Sequence, residues 1–244
     1  MNPVEIQYRI RLQDGSEKVI DLALDPQTLD ILTPPPSTLP AWTQLEFYQC
    51  PHCPLDVGSH PHCPAAVRMV EIVEQFNQVN SYDGVEVEVV TSDRTTIRAT
   101  TSQKALSSLF GVLMATSGCP HTAFLKPMAR FHLPLSTQEE TIYRVTGMYL
   151  LAQYFLQREG KTPDTNMKGL HLLYANLRKV NVEIAARIRH SSELDSSVNA
   201  VAVLDVFANI LPFALEDELA RIESLFAHYL TDFYETEVLD KLKD

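Results

Sequence analysis

The sequence predicts an α+β protein: an N-terminal β-hairpin and a small, mostly antiparallel sheet with helices, followed by a C-terminal helical bundle. Three observations carry this. Val4, Ile6, Tyr8, Ile10 and Leu12 alternate strictly with polar residues, the period of a half-buried strand. Val85, Val87 and Val89 repeat that alternation further along. From Cys119 onward the apolar residues recur instead at helical spacing. Strands gathered early and helices late form the α+β pattern.

Taken in order, Asp14-Gly15 supplies the positive φ of a tight hairpin, and Lys18 to Leu24 returns as the second strand. Thr33-Pro34-Pro35-Pro36-Ser37 is a stiff, extended connector. Trp42 to Tyr48 reads as a further strand running into Cys50, and the proline-rich stretch from Cys50 to Pro64 forms no regular element. Val67, Val70 and Val73, with Met69 and Phe76, mark a helix ending near Asn80. Asp83-Gly84 turns the chain into the Val85 strand, and Thr95 to Ala99 adds a short partner. Ser102 to Met114 is helical, with Gly118 as its stop.

Beyond this point the reading is helical. Ser136 with Glu139, or Thr137 with Glu140, makes a capping box before a helix to about Arg158. Leu170, Leu173, Tyr174, Leu177, Ile184 and Ile188 line a second, ending about His190. Asp195 or Ser196 caps an apolar third that ends near Pro212, and Leu215, Leu219, Ile222, Phe226 and Tyr229 line a fourth. Residues 1–134 thus read as an α+β, cysteine-rich metal-binding region and 135–244 as a helical bundle region, packed together as one unit.

Composition narrows the function. At 244 residues with 45% hydrophobic content the chain carries a sizeable core. Its 20 basic against 31 acidic residues leave a net charge of −11, a field that repels phosphate backbones and anionic membranes. Arg178-Lys179, Arg187 and Arg189 read as a solvated helix face, so neither nucleic acid nor membrane is an expected partner; a protein partner or self-association is. The apolar stretch Val198 to Leu215 contains Asn199, Asp205 and Asn209 and reads as a buried helix, not a membrane span. With no basic segment followed by an apolar run at the start, the expected location is the cytoplasm, where thiols stay reduced. Only eight glycines, with no phosphate-binding loop, His-Glu-x-x-His or Gly-x-Ser-x-Gly, argue against nucleotide or hydrolytic chemistry.

The candidate site is four cysteines: Cys50, Cys53, Cys63 and Cys119. Cys50-x-x-Cys53 is a knuckle whose tight turn brings two thiolates to one side. Cys63-Pro64 and Cys119-Pro120 each stand at an expected helix start, where free N–H groups and the helix dipole favour a thiolate. Proline follows every one of the four, which stiffens the ligand loops. His52, His60, His62 and His121 all lie within three residues of a cysteine, as replacement ligands or as supports. A lone free cysteine is commonly a small buried hydrophobe; four clustered in this way point to a metal. Zinc is the default occupant of sulfur-rich structural sites, and an iron–sulfur cluster is the competitor. Four thiolates leave zinc no open position, so a structural role, with a regulatory or protein-interaction function, is expected in place of catalysis.

Leu45-Glu46-Phe47-Tyr48-Gln49-Cys50-Pro51-His52-Cys53 also resembles the active-site entry of the thioredoxin-like disulfide oxidoreductases. That resemblance implies a thiol–disulfide exchange reaction with Cys50 as low-pKa nucleophile, Cys53 as resolving thiol and His52 stabilising the thiolate. Pro54 and the loop through Gly58 to Pro61 depart from the family, whose helix contains the motif. Ser117-Gly118-Cys119-Pro120 together with Lys126-Pro127-Met128-Ala129-Arg130-Phe131-His132-Leu133-Pro134 is similar to an uncharacterised bacterial protein family, which implies a bacterial origin and no mechanism. Among other groups, Arg130 and His132 read as a helix end, Glu140 and Arg144 as an ordinary ion pair, and Asp205 and Asn209 as polar groups on one face of an apolar helix.

Overall fold

The structure, a computed structural model, describes residues 2–191 and 195–231. Strands β1 (Val4–Arg11), β2 (Glu17–Leu24), β3 (Gly84–Thr91) and β4 (Thr95–Thr101) make one antiparallel sheet in the order β2-β1-β3-β4. Alternation fixes the register. Tyr8 faces Ile20 on one side and Val89 on the other, so Ile6, Tyr8, Ile10, Leu22, Leu24, Val87 and Val89 share the buried face. The opposite face carries cross-strand pairs, Arg9 to Glu88 at 3.3 Å and Arg11 to Glu86 at 2.9 Å, solvated and worth little. Gly15 closes the first hairpin at φ +83°.

Between β2 and β3 the chain crosses from one side of β1 to the other through a long connector and α1 (Pro64–Gln75). The expected strand over Trp42 to Tyr48 is not there. Ala41–Thr43 is a turn of 3-10 helix, and only Gln44 makes an isolated bridge, to His62. The apolar side chains that suggested a strand, Trp42 and Leu45, are buried anchors of a loop.

Helix α2 (Ser102–Thr116) leaves β4 directly and is the hub of the fold, packing on the sheet, α1, α3 (Lys126–Arg130) and α6 (Ser196–Ile222). Helix α4 (Gln138–Arg158) starts at a capping box, and the residues chosen are Thr137 and Glu140. The Thr137 amide donates to Glu140 at 2.7 Å and the Glu140 amide to the Thr137 hydroxyl at 3.2 Å. Glu140 therefore attracts Arg144 only at longer range and makes no close ion pair with it, and Arg144 donates to the carbonyls of Met128 (3.1 Å) and Phe131 (2.7 Å). Helix α5 (Lys168–Arg189) packs along α6. Helix α6 does not end at Pro212 as expected but runs through it to Ile222, followed by 3-10 helix Glu223–Leu230. The end of the expected bundle region, 232–244, lies outside the described residues. One continuous core joins Ile6 of the sheet to Leu215 of α6. Among the described residues no helix is long and apolar enough to cross a membrane.

A hydrogen-bonded chain ties the sheet to the helical half. The Leu135 amide donates to Ser108 Oγ (3.1 Å), Ser108 pairs with the buried Tyr8 hydroxyl (2.9 Å), and Tyr8 meets His132 Nε2 at 2.6 Å. The donors balance if Ser108 donates to Tyr8 and Tyr8 to a neutral imidazole. Burial, and then the charge of Arg144, push the His132 pKa from 6.5 down to about 3. The unfolded chain therefore binds a proton below about pH 6.5 that the folded one refuses. Stability should fall as pH drops from there towards 3, at a limiting ~1.4 kcal/mol per pH unit. Urea titrations at pH 7, 5.5 and 4.5 on the protein and on His132→Gln check it: the variant should lose much of that slope. An equal slope in both would place the acid sensitivity elsewhere.

Candidate metal centre

The site is built on the connector. The Leu45 amide donates to Pro61 O (2.9 Å) and the Cys63 amide to Thr43 O (2.7 Å), so residues 43–45 and 61–63 lie antiparallel and close the loop that carries Cys50 and Cys53. Thr43 gives its hydroxyl proton to Pro40 O (2.7 Å), which leaves His62 Nδ1 as the donor to Thr43 Oγ1 at 2.8 Å. Within the loop the Cys53 amide donates to Cys50 O (2.9 Å), the expected knuckle turn. Tyr48, at φ +48°, turns its ring onto His190, with centroids 5.0 Å apart, and stands the loop against the end of α5.

Cys63 caps α1 with Pro64 in the first turn, as expected from sequence. Cys119 follows Gly118 (φ +91°), but no long helix begins there: its carbonyl accepts from the amides of Thr122 and Ala123 in a single turn before a 3-10 helix, Ala123–Leu125. The benefit expected from a helix start survives in local form. Burial pushes the Cys119 thiol up, and hydrogen bonds from the His121 and Thr122 backbone pull it down. The Cys119 turn is latched to the knuckle, because His121 Nε2 donates to His52 O (2.8 Å) and the two imidazoles stack at 3.9 Å. Both His52 ring nitrogens are shielded from solvent, and the polar group that acts on them is the Asn176 backbone, short of close hydrogen-bond geometry.

The four cysteines gather from three separate segments. The Cys50 thiol is pushed up to about 12, first by burial and then by the charges of Cys63, Cys119 and Cys53, while Arg187 pulls the other way. Each thiolate added makes the next harder to form, a frustration that a bound cation reverses. All four are free thiols. Among the described residues no group of three or more His, Cys, Asp or Glu side chains could hold a metal ion as it stands. The histidines sort themselves: His60 is on the surface beside Ser59, His62 is committed to Thr43, and His121 to the His52 carbonyl.

Arg187 is a correction to the sequence reading. Expected on a solvated face, it is 1% exposed and is the largest fully buried side chain. Nη1 donates to Trp42 O (2.9 Å) and Gln44 O (2.6 Å), and Nη2 to Leu45 O (2.8 Å), so one guanidinium holds the connector that no strand pairing holds. It also lies within the electrostatic reach of Cys63, Cys50 and Cys53. The signal was in the phase of α5: residue 187 falls in line with Val180, Ile184 and Ile188 on the buried stripe.

The geometry departs from what the thioredoxin-like resemblance implies. The knuckle is a turn between a 3-10 helix and α1, the sheet is wholly antiparallel, no peptide bond among the described residues is cis, and Cys50 is raised where an attacking thiol needs to be lowered. A family model described as a domain of unknown function (DUF6901) matches residues 6–227. No curated protein and no solved structure matches the chain.

Proposed function

The chain belongs to the DUF6901 family, and for it we propose a protein organised by a structural metal–thiolate centre, with Cys50, Cys53, Cys63 and Cys119 as ligands and zinc as the ion. One observation carries the reading: thiols from the knuckle, the α1 cap and the turn after α2 all act on Cys50. Support comes also from the backbone amides aimed at Cys119 and from the buried cation of Arg187, both of which favour a negatively charged thiolate cluster. Zinc bound by four thiolates has no open position, so the centre fastens the connector to α1 and to the start of the helical half. The outer face of α4, with Leu151, Tyr154 and Phe155 exposed, suits a protein partner, and a reducing compartment such as the cytoplasm suits the free thiols.

Elemental analysis and the visible spectrum of anaerobically purified protein test this. One zinc per chain in a colourless protein is expected. A brown protein containing iron and sulfide overturns zinc in favour of a cluster. Metal-free protein whose Cys50 and Cys53 cycle between dithiol and disulfide overturns the metal centre itself.

A further inference from the structure

Away from the cysteines, α2, α3, α4, α5 and α6 and the edge strand β4 line an open cleft of about 820 Å³, within the range of small-molecule sites. Its walls are mainly apolar, with Val112, Leu177, Leu204 and Phe207 among them. Its charged lining is of one sign. Arg98, Lys104 and Arg144 face it and no Asp or Glu does among the described residues, in a chain whose acidic residues outnumber its basic ones.

Arg144 is the central group. Its Nη2 is occupied by the Met128 and Phe131 carbonyls, which fix the guanidinium. Its Nε and Nη1 have no hydrogen-bond partner and no close ion pair among the described residues, Glu140 acting on it only from the capping box, so part of a positioned fork is left over. A second, independent feature lies on the α5 wall. Tyr174, Leu177 and Asn181 share one helix face, which sets Asn181 about 10 Å from Tyr174 along the axis. Asn181 is 1% exposed and sits against the Asp205 carboxyl, whose charged form it favours, but the contact falls short of a close hydrogen bond, so amide capacity is left over. Buried amides with capacity left over are uncommon, and one lining a cleft marks where a ligand's polar group belongs.

We infer that this cleft binds an amphipathic carboxylic acid, its carboxylate on the free edge of Arg144, its apolar body along Leu177, Leu204 and Phe207, and a second polar group towards Asn181. The apolar wall supplies affinity and the unpaired guanidinium selects the anion.

Calorimetric titration of the full chain with decanoate, ω-hydroxydecanoate and decanol tests it. Both acids should bind at least about tenfold more tightly than the alcohol, and the hydroxy acid better than decanoate. Arg144→Gln should erase the advantage of the acids. Because Arg144 also holds Met128 and Phe131, Gly111→Leu is the second variant: a Cβ at Gly111 meets only Leu204 Cδ2 at 3.9 Å, so the side chain should enter the cleft without disturbing the fold. It should melt no lower than the wild type and bind none of the three. Asn181→Leu should remove the preference for the hydroxy acid while leaving the advantage of both acids over the alcohol. The inference is overturned if no probe binds at millimolar concentration, if acid and alcohol bind alike, if Gly111→Leu binds as the wild type does, or if Asn181→Leu keeps the preference for the hydroxy acid.

Discussion

Replacing Arg187 with methionine should destabilise the protein by about 3–5 kcal/mol, the cost typical of breaking a buried, hydrogen-bonded ion from one side. Methionine matches the length and removes the charge, so three carbonyls of the connector, at Trp42, Gln44 and Leu45, lose their donor at once. Those of Trp42 and Leu45 are too enclosed to turn to water cheaply. Arg187→Lys should fall between, since one ammonium cannot reproduce a planar fork that spans carbonyls of three residues. Arg189→Met, on the exposed side of the same helix end, should change stability by less than about 0.5 kcal/mol. Chemical denaturation of the three variants against the wild type decides it. If Arg187→Met and Arg189→Met cost the same, the guanidinium is a bystander to the connector. The site adds a second readout. Because Arg187 counters the negative charge of Cys50, Cys53 and Cys63, the methionine variant should also, on the proposed zinc centre, release zinc to a weaker chelator than the wild type requires.

The same residue shows where sequence reasoning runs out. The sheet was legible because its information is local: alternation in Val4–Leu12 and Val85–Val89 sets the buried face, and Asp14-Gly15 sets the turn. The start of α4 was legible because a capping box is four residues long. The segment Trp42 to Tyr48 was misread because a short apolar run fits either a strand or a buried loop, and its carbonyl partner comes from a side chain more than 140 positions away. Arg187 was misread in mirror image: its charge outweighed its phase on α5, although a guanidinium with enough carbonyls around it can be buried. Arg144 and Glu140 have the spacing of an ion pair, but each is claimed by backbone groups that spacing cannot reveal. The cysteines were legible as a set, and their meeting at one centre was an expectation of the sequence that still belongs to the proposal. That Cys119 comes to the knuckle depends on the packing of α2 against α1 and the core.

On the proposed zinc centre, removing the metal, or Cys119 alone, should act on the connector first. In the wild type the loop 46–60 is held at its base by the ladder of 43–45 with 61–63, on one flank by Tyr48 against His190, and at its tip by His121 to the His52 carbonyl. The first two are independent of the thiols. The third shares its turn with Cys119, so losing that ligand loosens the tip from α2. Treatment with a strong chelator should lower the melting temperature by on the order of 10 °C, since a few kcal/mol of metal-linked folding energy is worth that in a domain of this size. Limited proteolysis should then cut within 46–60 before it cuts the sheet or α2, whose residues belong to the continuous core. Cys119→Ser should mimic the chelator: less than one metal per chain, the same early cleavage, and little further response when chelator is added. Unchanged metal content and melting in Cys119→Ser would remove Cys119 from the ligand set and leave a three-cysteine site on the connector and the α1 cap. Because Thr122 also packs its hydroxyl onto Met114 O beneath this turn, Thr122→Val is the control for a purely structural loosening. It should lower the melting temperature without changing the metal bound per chain.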